Sequence, residues 1–137
     1  MANISELPSE AMTALMGVET WLLEQQFVDV NASGIRFHSS PDLVGKCQPL
    51  LDYLPDRCKA DFDPNRHDTR VTAIHVHATM TIPVKDGSNS LLIPMCIGGG
   101  ATLDGSELHS LQYAELKQGV VATPEFYALL LLSRTIA

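Results

Sequence analysis

Apolar side chains recur at helical spacing through Ala11, Leu15, Val18 and Leu22, joined by Met12 and Leu23. This predicts a helix from a Ser9 cap to about Gln26. The stretch 34–38 alternates and ends at Ser39-Ser40-Pro41, so a short strand is expected to lead into a second helix with Ser40 as cap and Pro41 in its first turn. That helix would carry Val44, Cys47, Leu51 and Leu54; Pro49 in its middle predicts two short pieces or a kink. Residues 55–69 have the prolines and aspartates of a loop. A long strand is expected over 71–84, with Thr72, Ile74, Val76, Ala78, Met80, Ile82 and Val84 on one face and His75, His77, Thr79 and Thr81 on the other. Asp86-Gly87 would then turn into a strand over 91–97, with Pro94 at an edge or bulge, and Asp104-Gly105 into a last strand over 106–116. These three strands would form a meander. Thr123-Pro124 is expected to cap a C-terminal helix through Phe126 to Leu132, too apolar to stand in water on all sides.

The 137 residues suit one domain, 1–137, and 45% hydrophobic with 18% charged residues is an ordinary globular balance. A net charge of −7 argues against nucleic acid and against anionic membranes, both of which need a basic face. The longest apolar run, Leu129 to Leu132, is far short of the ~20 residues that span a bilayer, and the polar, acidic start shows no signal peptide. A cytoplasmic location is therefore expected. Cys47, Cys58 and Cys96 are odd in number and irregularly spaced, suggesting neither a disulfide framework nor a zinc site. The sequon at Asn31 carries no weight without a secretory signal.

The order helix, strand, helix, loop and antiparallel meander, with Val84-Lys85-Asp86-Gly87 and Asp104-Gly105 running through Tyr113 and Glu115, resembles the SnoaL-like and nuclear transport factor 2-like superfamily. The likeness covers nearly the whole chain. It implies an α+β fold, a curved antiparallel sheet wrapped round N-terminal helices (the cystatin-like α+β cone), with a blind apolar pocket and often a homodimer. Its members include polyketide cyclases, dehydratases, ketosteroid isomerases and inert binding modules, so the fold alone does not fix an activity. The position of Asp29 just after the first helix is similar to where such families place a pocket acid or its partner; an Asx-turn residue is the plain alternative.

His75-Val76-His77 sets two imidazoles on one strand face. Lining a pocket, one of them can take a proton α to a carbonyl and return it to a departing hydroxyl. On the outside they are merely solvated. His109 and Tyr113, four apart on the last predicted strand, would share a face, and Tyr113 could donate to an enolate oxygen; otherwise it packs in the core. Tyr53 is a further phenol at the expected pocket rim, and Asp61 and Asp63 sit in a loop that could cover its mouth. His38 alternates with Phe37 and is expected to face solvent.

His-X-His is also similar to the cupin metal motif, but Thr79 to Ile82 stand where its glutamate belongs, so no metal and no other cofactor is expected. Gly98-Gly99-Gly100 lacks the Lys-Ser/Thr end and the following helix of a phosphate loop and reads as a bend. Cys96 beside it reads as a small buried side chain. Two function classes follow. One is a small cofactor-free acid/base enzyme (isomerase, dehydratase or cyclase) acting on a hydrophobic polyketide- or terpenoid-like molecule, with His75, His77 and Asp29 as catalytic groups and Tyr113, His109 and Tyr53 touching substrate. The other is a non-catalytic small-molecule-binding or dimerisation module of the same fold. A homodimer is expected in either case, to cover the half-apolar strand face and the Phe126 to Leu132 helix.

Overall fold

A computed structural model describes residues 3–29, 35–39, 41–62, 69–82, 84 and 88–134. The Asp86-Gly87 turn, Asp63 and the Asn31 sequon lie outside the described residues, as do the side chains of Asp29 and Asp61. The fold is α+β: strand β1 (Asn3–Glu6), helix α1 (Met12–Leu23) entered through a 3₁₀ turn at Ser9–Ala11, strands β2 (Val28–Asp29) and β3 (Ile35–His38), helices α2 (Pro41–Leu51) and α3 (Asp56–Asp61), then strands only. These are β4 (Thr69–Val76), β5 (Met80–Ile82), β6 (Ser88–Met95), β7 (Thr102–Leu103), β8 (Ser106–Glu107), β9 (Gln112–Leu116), β10 (Val120–Thr123) and β11 (Phe126–Arg134).

The expected stripe of α1 is real: Ala11, Leu15, Val18 and Leu22 are buried, while Met12 and Leu23 at its margin are exposed. α2 runs unbroken past Pro49, so the expected break into two pieces does not occur. The expected loop after Pro55 contains α3.

The C-terminal helix is overturned. Residues 126–134 form β11, flanked by β4 and β6 in a seven-stranded antiparallel sheet of order β1-β9-β6-β11-β4-β3-β2. The sheet is covered on both sides. Leu129 and Leu131 pack with Leu15, Val18 and Leu22 of α1 and Leu43, Cys47 and Leu50 of α2. Phe126, Ala128 and Leu130 pack with Ile82, Leu103, Val120 and Ala122 of a four-stranded sheet, β5-β10-β7-β8. A strand buried on both faces needs no polar alternation, so its sequence is continuously apolar.

Two further expectations change with it. β11 lies between β4 and β6, so the consecutive meander does not form. The long 71–84 strand is two strands: β4 ends at Val76, and β5 pairs with β10 in the other sheet. The Asp104-Gly105 turn is present, joining β7 to β8 with both residues at positive φ (52° and 80°), the backbone that a two-residue hairpin of this kind requires. Pro94 lies in β6 beyond Leu92, where the described pairing with β9 has stopped.

Candidate functional site

Directly opposed residues of antiparallel strands point to the same face. The register Arg36↔His75, His75↔Tyr127 and Tyr127↔Met95 therefore lays one row across four strands, on the side covered by the helices. In the middle of β4 and β11 that side is apolar, with Val71, Ala73, Leu129 and Leu131; at this row it carries an imidazole, a phenol and a guanidinium.

His75 is buried, 7% exposed, and its Nε2 lies 2.7 Å from Oε2 of Glu125, which is 62% exposed in its side chain. With Glu125 ionised, Nε2–H donates to the carboxylate, and Nδ1 is left as the basic nitrogen. The His75 ring stacks flat on Tyr127, with centroids 4.2 Å apart and planes within 5°. Phe27, in the turn after α1, stands edge-on to Tyr127 at 5.4 Å and to His75 at 6.4 Å. Together the two rings restrict how the imidazole can tilt. Burial raises the Tyr127 phenol above its ordinary pKa, helped by Glu125 and Cys96 and opposed by Arg36, so at neutral pH it remains a hydrogen-bond donor.

The loop after β6 is tied into the same place. The Cys96 N–H donates to Oε2 of Glu19 on α1 at 2.7 Å, and the Gly98 N–H donates to the Glu125 carbonyl at 2.8 Å. Burial, together with the Glu19 carboxylate beside it, pushes the Cys96 thiol up to about 11, so it is not a nucleophile at neutral pH. A shallow groove of about 270 Å³ opens between Gly98–Gly100 and Glu107, His109 and Ser110. Of the residues tied to His75 and Glu125, only Gly98 borders it.

The sequence-predicted residues are only partly brought together. His77 lies past the end of β4, exposed, with its ring 5.7 Å from that of His75. Asp29 is in register with Arg36, one strand further from His75, and the carboxylate that meets His75 is Glu125. His109 is exposed in the turn before β9, its N–H donating to Oε1 of Gln112, and shares no strand with Tyr113. Tyr113 is a core residue, 5% exposed among the helix-side apolar side chains. Tyr53 follows α2 and is exposed. His38 is half-buried against Trp21 and Phe27, its Nδ1–H donating to the Gln26 carbonyl at 3.0 Å, because Phe37 faces the second sheet instead. Among the described residues no three His, Cys, Asp or Glu converge as metal ligands.

Glu125 and Tyr127 are the functional candidates that sequence reasoning missed. The signal available was the spacing Glu125-x-Tyr127 ahead of an apolar run, which becomes informative only once that run is read as a strand.

No protein-family model, curated protein or solved structure matches the chain. No helix among the described residues is long and apolar enough to cross a membrane.

Proposed function

We propose that the protein is a small acid/base enzyme of the isomerase, dehydratase or cyclase type, acting without a cofactor on a hydrophobic small molecule. The observation that carries this reading is the buried His75 imidazole, held flat on Tyr127 with one nitrogen committed to a carboxylate. Nδ1 of His75 takes a proton from carbon α to a carbonyl. The C–H electrons form the enolate double bond, and the phenol of Tyr127 donates to the enolate oxygen. The imidazolium, stabilised by Glu125, then gives its proton back, either to another carbon or to a departing hydroxyl. Phe27 and Trp21 give the substrate an aromatic surface. The SnoaL-like α+β cone belongs to the same proposal, supported by the packing of α1 and α2 on one face of an antiparallel sheet.

A binding or dimerisation module is the second reading. It is favoured by the groove at Gly98–Gly100, which is lined by neither His75 nor Tyr127. β11 is covered within the chain and leaves nothing there for a partner to cover, so a homodimer is supported instead by the exposed Met12, Met16, Leu23 and Val28. Light scattering at micromolar concentration tests it, and a monomeric mass rejects it.

The test of the enzyme reading is hydrogen–deuterium exchange at carbon. A panel of cyclic ketones and β-dicarbonyl compounds is incubated in D₂O and followed by proton NMR. Wild-type protein should accelerate α-proton exchange of at least one member, and His75→Ala should reduce that rate by about 10²- to 10⁴-fold while its circular dichroism is unchanged. Ligand binding without exchange would establish the module instead.

A further inference from the structure

Glu125 presents a difficulty for the reading of His75 as a base, on which the following inference rests. Its side chain is 62% exposed, and an exposed carboxylate samples many rotamers and gains little from an ion pair. A dependable partner for His75 needs its backbone held. The hydrogen bonds on the helix side supply that hold.

The geometry assigns Glu19 as a positioning residue for the His75–Glu125 pair. Glu19 lies in the middle of α1, the helix whose Leu15, Val18 and Leu22 are sunk in the core, so its backbone is among the best anchored in the molecule. Its carboxylate accepts the Cys96 N–H at 2.7 Å, a charge-assisted bond, and Cys96 has a φ of 50°, in the left-handed region where a side chain other than glycine needs an outside restraint. Two residues on, the Gly98 N–H grips the Glu125 carbonyl at 2.8 Å. A Cβ at position 98 would stand 3.0 Å from that same oxygen, so the approach is as close as glycine allows. The sequence of contacts is therefore α1 carboxylate, turn after β6, carbonyl of Glu125, carboxylate of Glu125, imidazole of His75.

Glu19 touches no reacting atom in this scheme, so its test reads the imidazole and not only turnover. Nitrogen-15 NMR of the wild type should show His75 as a single tautomer protonated on Nε2. In Glu19→Ala the two ring-nitrogen signals should move toward the averaged positions of a ring exchanging between tautomers, and hydrogen exchange of the Gly98 amide should rise about tenfold. Glu19→Gln keeps an oxygen that can accept from the Cys96 N–H and should restore both readouts to near wild type. Gly98→Ala keeps Glu19 but disturbs the last link, and should shift the imidazole signals in the same direction; it serves alone if Glu19→Ala does not fold. Wild-type imidazole signals in the folded variant overturn the role of Glu19. Glu125→Ala separates the two ideas: if it too leaves the signals unchanged, the pairing itself falls, and with it the reading of His75, whereas a shift there with none in Glu19→Ala removes only the tether.

Discussion

Along β4 and β11 the two faces of the large sheet part company at one end. On the side of the small sheet, Ile74 and Val76 of β4 meet Phe126, Ala128 and Leu130 of β11, and the apolar layer runs to the strand ends, with Val76 and Phe126 both fully buried. On the helix side the same pair of strands carries Val71, Ala73, Leu129 and Leu131 in its middle and His75 and Tyr127 at this end. A single step along a strand thus separates a sealed core from a titratable cluster. The difference shows what polar chemistry needs in a small protein: β5, β7 and β10 cover one face to its end, whereas α1 has finished at Leu23 and, among the described residues, Phe27, the exposed Glu125 and the exposed His77 stand at the last row of the other.

The largest effect expected from breaking this contrast comes from the sealed side. Phe126→Ala should destabilise by about 3–5 kcal/mol, because a fully buried ring leaves a cavity between two sheets that cannot collapse far. Tyr127→Phe, one residue away, removes only a hydroxyl from a half-buried ring and should cost under about 1 kcal/mol. Chemical denaturation of the two variants measures both. Equal costs would mean that the two faces are not packed differently.

The pH dependence should come from the helix side. Burial pushes the Cys47 thiol up to about 12, against the 9.0 of an exposed thiol in an unfolded chain. The folded state thus holds the proton longer than the unfolded state does. Its contribution is fully present below pH 9, and it is lost as the pH rises from there toward 12. By pH 10.5 the loss should be roughly 2 kcal/mol, at about 1.4 kcal/mol per pH unit. Denaturation at pH 8 and pH 10.5 tests this, and Cys47→Ala, although less stable at pH 8, should show a smaller drop. A slope unchanged in that variant would assign the alkaline loss to other groups.

The contrast between the faces also explains what the sequence could and could not say. α1 was legible because one side of it meets solvent, so the stripe of Ala11, Leu15, Val18 and Leu22 stands out against polar neighbours. β11 was not, because burial on both faces erases the period-two signal, and a run of leucines without β-branched residues reads as well for a helix. That single misreading hid the site. As the third residue of a helix that starts at Thr123, Glu125 is an ordinary first-turn acid with no special meaning. As the residue before a strand paired with β4, it meets His75. The break at His77 was equally silent, since the apolar alternation runs on through Ala78 and Met80 although the chain has crossed to another sheet. Which acid reaches His75 is decided by long-range register, and that is not written in local spacing.

Glu125→Gln should separate stability from chemistry at the polar end. Its exposure limits the stability cost to under about 1 kcal/mol, since water replaces most of what the ion pair supplies. The proton-transfer rate, by contrast, should fall about tenfold to a hundredfold, because the amide oxygen can still accept from Nε2–H but offers no negative charge to the imidazolium state. The carbon exchange assay and a denaturation curve on the same variant give both numbers. A stability loss as large as that of Phe126→Ala would make Glu125 a structural residue.

The smallest effect is expected at His77, and it bears most directly on how the two imidazoles divide the work. Their ring centroids are 5.7 Å apart, close enough for each to sense the other's charge, yet His75 is 7% exposed and lies within β4 whereas His77 is exposed beyond its end. Water can take over what an exposed imidazole does for its neighbours, so His77→Ala should change stability by no more than about 0.5 kcal/mol. Its effect on the exchange rate should stay below about fivefold, the size of an exposed charge interaction. His75→Ala has no such substitute, because the vacated space lies between Tyr127 and Phe27 and leaves Glu125 without its donor. If His77→Ala lowers the rate as much as His75→Ala, the base is the exposed imidazole, and the stacked, carboxylate-bound ring only supports it.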